Sequence, residues 1–330
     1  MNRPRLIVFD MDGVLIDVSR SYREAVRKTA RLFLSGARGF EQLPDPFFPL
    51  ADLAELKQTG GLNNDWDLTD LTLHLLFARI KRPVEPGWED DARTLEEAIR
   101  HCDASDLAAF LNASTRPLMD LFGRYGRRRD PFVATFYRGD VGTGNVIKQI
   151  FQEVYLGPTL FRAQYGLEAR FCREEGLIHR ETLLIDPALL ADLSRDSILA
   201  IATGRPQAEA DFPLDRFGLR RYFRLMVTLD DCIREEERIR AVSGEPISLK
   251  KPDPYMLDRI PDLLGRNPGE CYYLGDMPDD MHAARASKTG YRGVGVTLSA
   301  AEPEKLRHEL LQAGADRILE RYSDLPGIIG

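Results

Sequence analysis

The chain has 330 residues, 43% of them hydrophobic, 29% charged and 9% aromatic, a globular composition with room for about two domains. A disordered, collagen-like or coiled-coil chain is excluded. The 45 Lys and Arg against 52 Asp and Glu leave a net charge of −7, so neither nucleic acid nor an anionic membrane is an expected partner.

In chain order, the first element is the apolar run Leu6 to Phe9, which stops at Asp10-Met11-Asp12-Gly13. That is the pattern of a buried parallel strand opening into a loop at its carboxyl end, where open α/β sheets place their chemistry. The run is too short for a signal-peptide core or a membrane span, and a cytoplasmic protein is expected. After Ser19 or Ser21 as a cap, Tyr22, Ala25, Val26, Thr29, Ala30 and Phe33 recur at helical spacing, with Arg23, Arg27, Lys28 and Arg31 on the other face. The following stretch is mainly helical, broken by loop signals at 43–49, 59–65, 82–89 and 124–131. Strands return with Ser197–Ala202, Leu225–Leu229, Cys271–Leu274, Gly293–Leu298 and Arg317–Leu319, separated by helical patterns such as 254–264, 279–287 and 302–314. Strand alternating with helix predicts an α/β fold with a doubly wound parallel sheet. Residues 1–17 and 184–330 form this core, and 18–183 read as an inserted, mainly α-helical domain. Phe47, Phe48 and Trp88 fit the core of that insert. The four cysteines, Cys102, Cys172, Cys232 and Cys271, are far apart, lack zinc-type spacing and read as reduced thiols.

The chemistry-bearing residues sit at predicted strand ends. Asp10 and Asp12 flank one residue, and strand alternation sends both side chains to one side, where they need a positive partner. Thr203 and Gly204 follow the strand SILAIA, offering a hydroxyl and a backbone that a ligand can approach. In Lys250-Lys251-Pro252, proline is read as the first turn of the next helix and holds Lys251 at its mouth, able to neutralise carboxylates or a transferring phosphoryl group. Gly275-Asp276-Met277-Pro278-Asp279-Asp280 supplies hard oxygen ligands at a density suited to Mg²⁺. One of Asp279 and Asp280 is expected only to favour the helix N-terminus.

Together, FDMDGVL, ATGRP, KKPDP and YLGDMPDD resemble the four ordered motifs of the haloacid dehalogenase superfamily, as found in its phosphatases. The resemblance covers residues 5–17 and most of 185–320, and is nearest the phosphoglycolate phosphatase branch with a C1 helical cap. It implies a Rossmann-like core and a magnesium-dependent phosphatase acting on a small phosphorylated metabolite through an aspartyl-phosphate. Asp10 would be the nucleophile, Asp12 the general acid/base, Thr203 the phosphate-binding hydroxyl and Lys251 the neutralising lysine. Asp10, Asp12, Asp276 and Asp280 would attend the metal. Because dehalogenation needs no acid, Asp12 argues for phosphoryl chemistry. An intramolecular phosphomutase and a catalytically silent binding protein are the alternative readings. The insert is longer than the usual cap, and a charged stretch from Glu235 to Glu245 precedes the lysine; both depart from the pattern.

Within the insert, Leu56 to Trp66 is a glycine-centred polar loop, placed like the specificity loop of C1 caps. Lys57, Asn63 and Asn64, with Gly204 of the core, are the candidate substrate contacts. Val133–Tyr137 followed by Gly139–Asn145 imitates a dinucleotide fingerprint, but Ile147 replaces its third glycine, so a structural turn is expected. An anion held at this helix mouth with Arg124, Arg127, Arg128 or Arg129 is the other reading. No histidine has a partner at ligand spacing. The sequence leaves the oligomeric state open.

Overall fold

Leu6 and Val8 face one side of a sheet and Ile7 and Phe9 the other, each joining a different apolar cluster. A strand buried on both sides must be apolar throughout, which is why RLIVF, SILAIA and CYYLG read as continuous runs rather than alternations. The computed structural model describes residues 3–59, 62, 64–82, 94–265, 268–300 and 302–330. Its strands are β1 (Arg5–Phe9), β2 (Ile16–Asp17), β3 (Thr182–Leu183), β4 (Ser197–Ala202), β5 (Phe223–Val227), β6 (Cys271–Gly275), β7 (Arg292–Val296) and β8 (Arg317–Leu319). Six of them form a parallel sheet in the order β5-β4-β1-β6-β7-β8.

Helices 187–196 and 207–216 contribute Leu190, Ala210 and Leu214 to one apolar cluster; helices 229–243, 255–264 and 278–286 contribute Cys232, Met256, Leu257, Ile260, Ala283 and Ala284 to the other. The fold is therefore a doubly wound α/β sandwich. From β1 the chain reaches β4 on one side and β6 on the other, so the carboxyl ends of these three strands meet at the point where strand order reverses.

The chain divides into two units, Met1–Val18 with Glu181–Gly330, and Ser19–Arg180. The sequence reading drew these boundaries at 17/18 and 183/184. It did not anticipate β2 and β3, which pair antiparallel in the first unit, where the chain leaves and re-enters it. The strand expected at Leu225–Leu229 is shifted: Phe223–Val227 form β5, and Thr228 starts the next helix, its N–H donating to Asp231 Oδ2 at 2.8 Å. The charged stretch from Glu235 belongs largely to that helix, Leu229–Ser243, with Arg238 forked onto Glu235 at 2.8 and 2.6 Å. It ends at Gly244, whose φ of +76° suits a residue without Cβ.

The second unit is helical. The helix Tyr22–Phe33 buries Tyr22, Ala25, Val26, Thr29, Ala30 and Phe33, the stripe read from the sequence. Phe33 packs edge-on against Phe77 and Phe136, and Tyr22 stacks on Tyr155 at 4.4 Å. Phe47 and Phe48 are buried as expected; Trp88 lies outside the described residues. Residues 133–135 end a short helix, Pro131–Thr135, rather than forming the strand a dinucleotide fold requires. Asn145 caps the following helix by accepting from Lys148 N–H at 2.9 Å, and the Lys148 ammonium pairs with Asp140 at 2.6 Å. All four cysteines are buried thiols. Among the described residues, no helix is long and apolar enough to cross a membrane.

One buried side chain of the helical unit organises the chain at 170–172. Glu153 accepts the backbone N–H groups of Arg170, Phe171 and Cys172 at 2.9, 2.6 and 3.1 Å. Glu153→Ala would leave these amides without their acceptor, and a loss of roughly 3 kcal/mol is expected, since each buried unsatisfied group costs about 1–3 kcal/mol. Denaturant unfolding measures it; an unchanged midpoint would remove Glu153 as the organiser of this turn.

Candidate active site

Asp10 directly follows β1, and its N–H donates to Leu274 O of β6 at 2.8 Å, so the last rung of the ladder sets its position. Its parity matches Val8, which aims it at the face occupied by Leu249, Met256 and Tyr273. There the Lys251 ammonium lies 2.9 Å from Asp10 Oδ1 and 2.8 Å from Asp280 Oδ1. Asp276 completes the group: carboxylate oxygens of Asp10, Asp276 and Asp280 all lie within 4.8 Å of one another.

Two glycines make this crowding possible. A Cβ at Gly13, whose φ is +70°, would sit 2.0 Å from Asp276 Oδ2, and one at Gly275 would sit 2.3 Å from the Asp280 Cβ. Asp280 is further tied by the Tyr273 hydroxyl, which donates at 2.8 Å, and by Met277 N–H at 3.0 Å, so it caps the helix Pro278–Ala286 and faces the cluster at once. Of the two acids expected at this helix start, Asp280 serves helix and cluster together, while Asp279 stands in the first turn outside the carboxylate group.

Burial pushes the Asp10 carboxyl up to about 7; the Lys251 ammonium pulls it down, while Asp280 and Asp12 add to the rise. Burial alone would lower the Lys251 ammonium, but Asp10 and Asp280 outweigh it and hold it above its ordinary value. Three carboxylates against one ammonium form a donor set of hard oxygens with excess negative charge, and that chemistry fits a divalent ion such as Mg²⁺.

Asp12 does not join this cluster. The strand ends at Phe9 and the chain turns at Gly13, so the alternation expected to align Asp12 with Asp10 no longer applies. Its Oδ1 instead receives Arg205 Nε at 2.7 Å and Arg205 Nη2 at 2.6 Å, and it is not among the carboxylates that gather within 4.8 Å of one another. Thr203, buried at the end of β4, accepts the Arg205 N–H at 3.2 Å, and Gly204 is exposed with nothing within 4 Å of where a Cβ would stand.

Lys251 rather than Lys250 meets the carboxylates, for a reason other than the expected one. Pro252 is not in a helix; the helix is Tyr255–Leu264, with Pro254 at its cap. In the helical unit, Lys57 pairs with Asp65 at 3.2 Å, and Asn64 Oδ1 accepts from Asp67 N–H at 2.7 Å as a helix cap. Asn64 thus caps its own helix, while Lys57, in the last turn of the helix Leu50–Gln58, reaches the first residue of the next; Asn63 lies outside the described residues. Arg205, Glu181, Tyr273, Gly13 and Gly275 were not singled out from sequence. Arg205 stood inside the quoted ATGRP, and a buried-site arginine directly after a strand-end Thr-Gly was the available signal.

A model of the haloacid dehalogenase-like hydrolases matches residues 4–288. The chain belongs to that family. Among curated relatives of this haloacid dehalogenase-like hydrolase, a phosphoglycolate phosphatase of Pectobacterium atrosepticum is 30% identical over 142 residues, covering 43% of the chain and 52% of the relative. An imidazoleglycerol-phosphate dehydratase of Phytophthora nicotianae is 25% identical over 317 residues, covering 96% of the chain and 48% of the relative. The chain thus spans about half the length of the curated relatives it matches. The solved structure of phosphatase Tt82 from Thermococcus thioreducens shares its fold, with a TM-score of 0.51 and 22% identity over 93% of this chain and 99% of that one.

The raised Asp10 carboxyl has a signed consequence for stability. Because its folded value, about 7, exceeds the ordinary 3.8, the folded state holds the proton more tightly and metal-free stability falls as pH rises through that window. In chelator, Asp10→Asn should therefore stabilise the protein by up to about 4 kcal/mol above about pH 7 and by well under about 1 kcal/mol near pH 4. Unfolding curves at the two pH values test this, and an equal gain at both would refute it.

Proposed function

We propose that the chain hydrolyses phosphate monoesters of small metabolites through an aspartyl-phosphate on Asp10. The observation that carries this reading is the Lys251 ammonium seated between Asp10 and Asp280 at the carboxyl end of the central strand. A carboxylate attacking a phosphate dianion meets like charge, and a buried, fixed cation beside the attacking oxygen is what that step requires. The family membership and the 30% identity to a phosphoglycolate phosphatase support the same reaction class.

Asp10, Asp276 and Asp280 would hold Mg²⁺, which when bound supplies positive charge against the transferring phosphoryl group. The protein's own groups then divide the work. Asp10 attacks phosphorus while the ester P–O bond breaks, and Lys251 offsets the negative charge on both. Thr203, whose oxygen accepts the Arg205 N–H, keeps its proton to donate to a phosphoryl oxygen. Asp12 gives its proton to the departing alkoxide. It then takes one from the water that attacks the acyl phosphate, releasing inorganic phosphate and restoring Asp10.

Two outcomes are expected. Phosphate release from a panel of phosphorylated hydroxy acids, sugars and imidazole alcohols should single out at least one class, and Asp10→Asn should abolish it in a folded protein, because the near-isosteric amide is a very poor nucleophile. Normal release by that variant would overturn the mechanism. Separately, Mg²⁺ should raise the Tm of the wild type in a concentration-dependent way, and Asp276→Asn should reduce that shift at equal ion concentration. A shift unchanged by the substitution would remove Asp276 from the ion's ligands.

A further inference from the structure

Among the described residues Arg205 is the largest fully buried side chain, and an arginine in that position must have its charge matched on the spot. Its side chain is 1% exposed and that of Glu181 0%, whereas Asp12 retains 33%. Glu181 Oε2 takes Nη1 and Nη2, each at 3.1 Å, and Nη1 also donates to Glu209 O at 3.1 Å. The remaining face of the guanidinium, Nε and Nη2, is spent on a single oxygen, Asp12 Oδ1. The Arg205 N–H in turn holds the Thr203 hydroxyl oxygen. The planar fork is therefore clamped from behind by a buried carboxylate and a carbonyl, and presents a fixed edge to Asp12, which reaches solvent.

We propose that Arg205, anchored by Glu181, is a positioning residue for Asp12: it holds Oδ1, keeps the carboxylate turned from the Asp10, Asp276 and Asp280 cluster, and leaves Oδ2 to face the leaving oxygen. The inference rests on Asp12 acting as the general acid. It differs from a purely structural ion pair because two guanidinium nitrogens converging on Oδ1 hold that one oxygen in place and so decide which oxygen of Asp12 is left for a substrate. Glu181 is buried and Asp12 partly exposed, so the ordering runs from Glu181 outward to Asp12.

The test uses leaving groups. A correctly placed acid matters for a poor leaving group such as an alkoxide and hardly matters for p-nitrophenolate, so single-turnover release of the alcohol is measured for an alkyl phosphate and for p-nitrophenyl phosphate, with Mg²⁺ supplied. Asp12→Asn, Arg205→Lys and Glu181→Gln are compared with the wild type, folding being checked by circular dichroism and Tm. Arg205→Lys and Glu181→Gln are expected to slow alkyl phosphate cleavage about 10- to 100-fold and aryl phosphate cleavage less than about 3-fold, as displaced catalytic groups do. KM and the Mg²⁺ concentration for half-maximal rate should stay near those of the wild type. If Asp12→Asn shows the leaving-group split and the other two variants do not, Arg205 is structural and the inference is overturned. A missing split in Asp12→Asn itself overturns the acid assignment and the inference with it. Should Arg205→Lys fail to fold, Glu181→Gln decides alone, since it leaves the Arg205 to Asp12 contact in place and loosens only its anchor.

Discussion

Burying negative charge at the end of β1 is the constraint on which the rest of the sheet unit depends. A carboxylate moved from water into a protein interior is unfavourable by several kcal/mol unless a partner is fixed beside it, and here three carboxylates gather where the backbone of two other strands already crowds the space. Lys251 meets two of them, and it can do so only because Leu249, Met256 and Leu257 pack its segment onto the face that Val8 and Tyr273 share. Tyr273 serves twice, as core and as hydrogen-bond donor to Asp280. The apolar layer and the charged site are therefore a single piece of packing.

The same constraint explains two glycines. At Gly13 and Gly275 any side chain would overlap a carboxylate of the cluster, and at Gly13 the backbone also lies in the left-handed region. Both positions give up backbone order in the unfolded-to-folded balance so that Asp276 and Asp280 can approach. A fold selected for stability alone would relieve such crowding; a site that must concentrate negative charge keeps it.

What was legible in the sequence was whatever a short segment encodes by itself. β1, β4 and β6 are apolar runs that end in Asp, Thr-Gly and Gly-Asp, and a parallel sheet brings such ends together whatever lies between them. The stripe on helix Tyr22–Phe33 was legible for the same reason. Partnerships between distant residues were not. Nothing near Arg205 in the chain announces Glu181 or Asp12, which are 24 and 193 positions away, and a buried pair at such separation has no spacing rule. At Asn64 the local signal is shared: a polar residue before an apolar helical pattern is as suited to capping a helix as to meeting a substrate, and its side chain caps the helix that starts at Asp65. Thr228 was misplaced in a strand because β-branched residues suit strands, whereas the Asp231 reciprocal bond makes it a cap.

Asp10 and Asp12 are separated by one residue, yet they are wired to different cations, and that division is what allows two neighbouring carboxylates to do different work. Asp10 is buried, joined to Lys251 and pressed against Asp276 and Asp280, so its oxygens belong to a region of concentrated charge. Asp12 is a third exposed and held at one oxygen by an arginine whose own charge is already shared with Glu181. Were both carboxylates to share Lys251, each would be tied to the same point, and neither could face a separate atom of a substrate. The end of β1 is what parts them: regular strand stops at Phe9 and the chain bends at Met11 before turning at Gly13, so the first aspartate follows the face of the sheet and the second crosses toward the end of β4. Sequence adjacency brings the pair to the sheet edge, and the break in backbone geometry assigns each its own electrostatic surroundings.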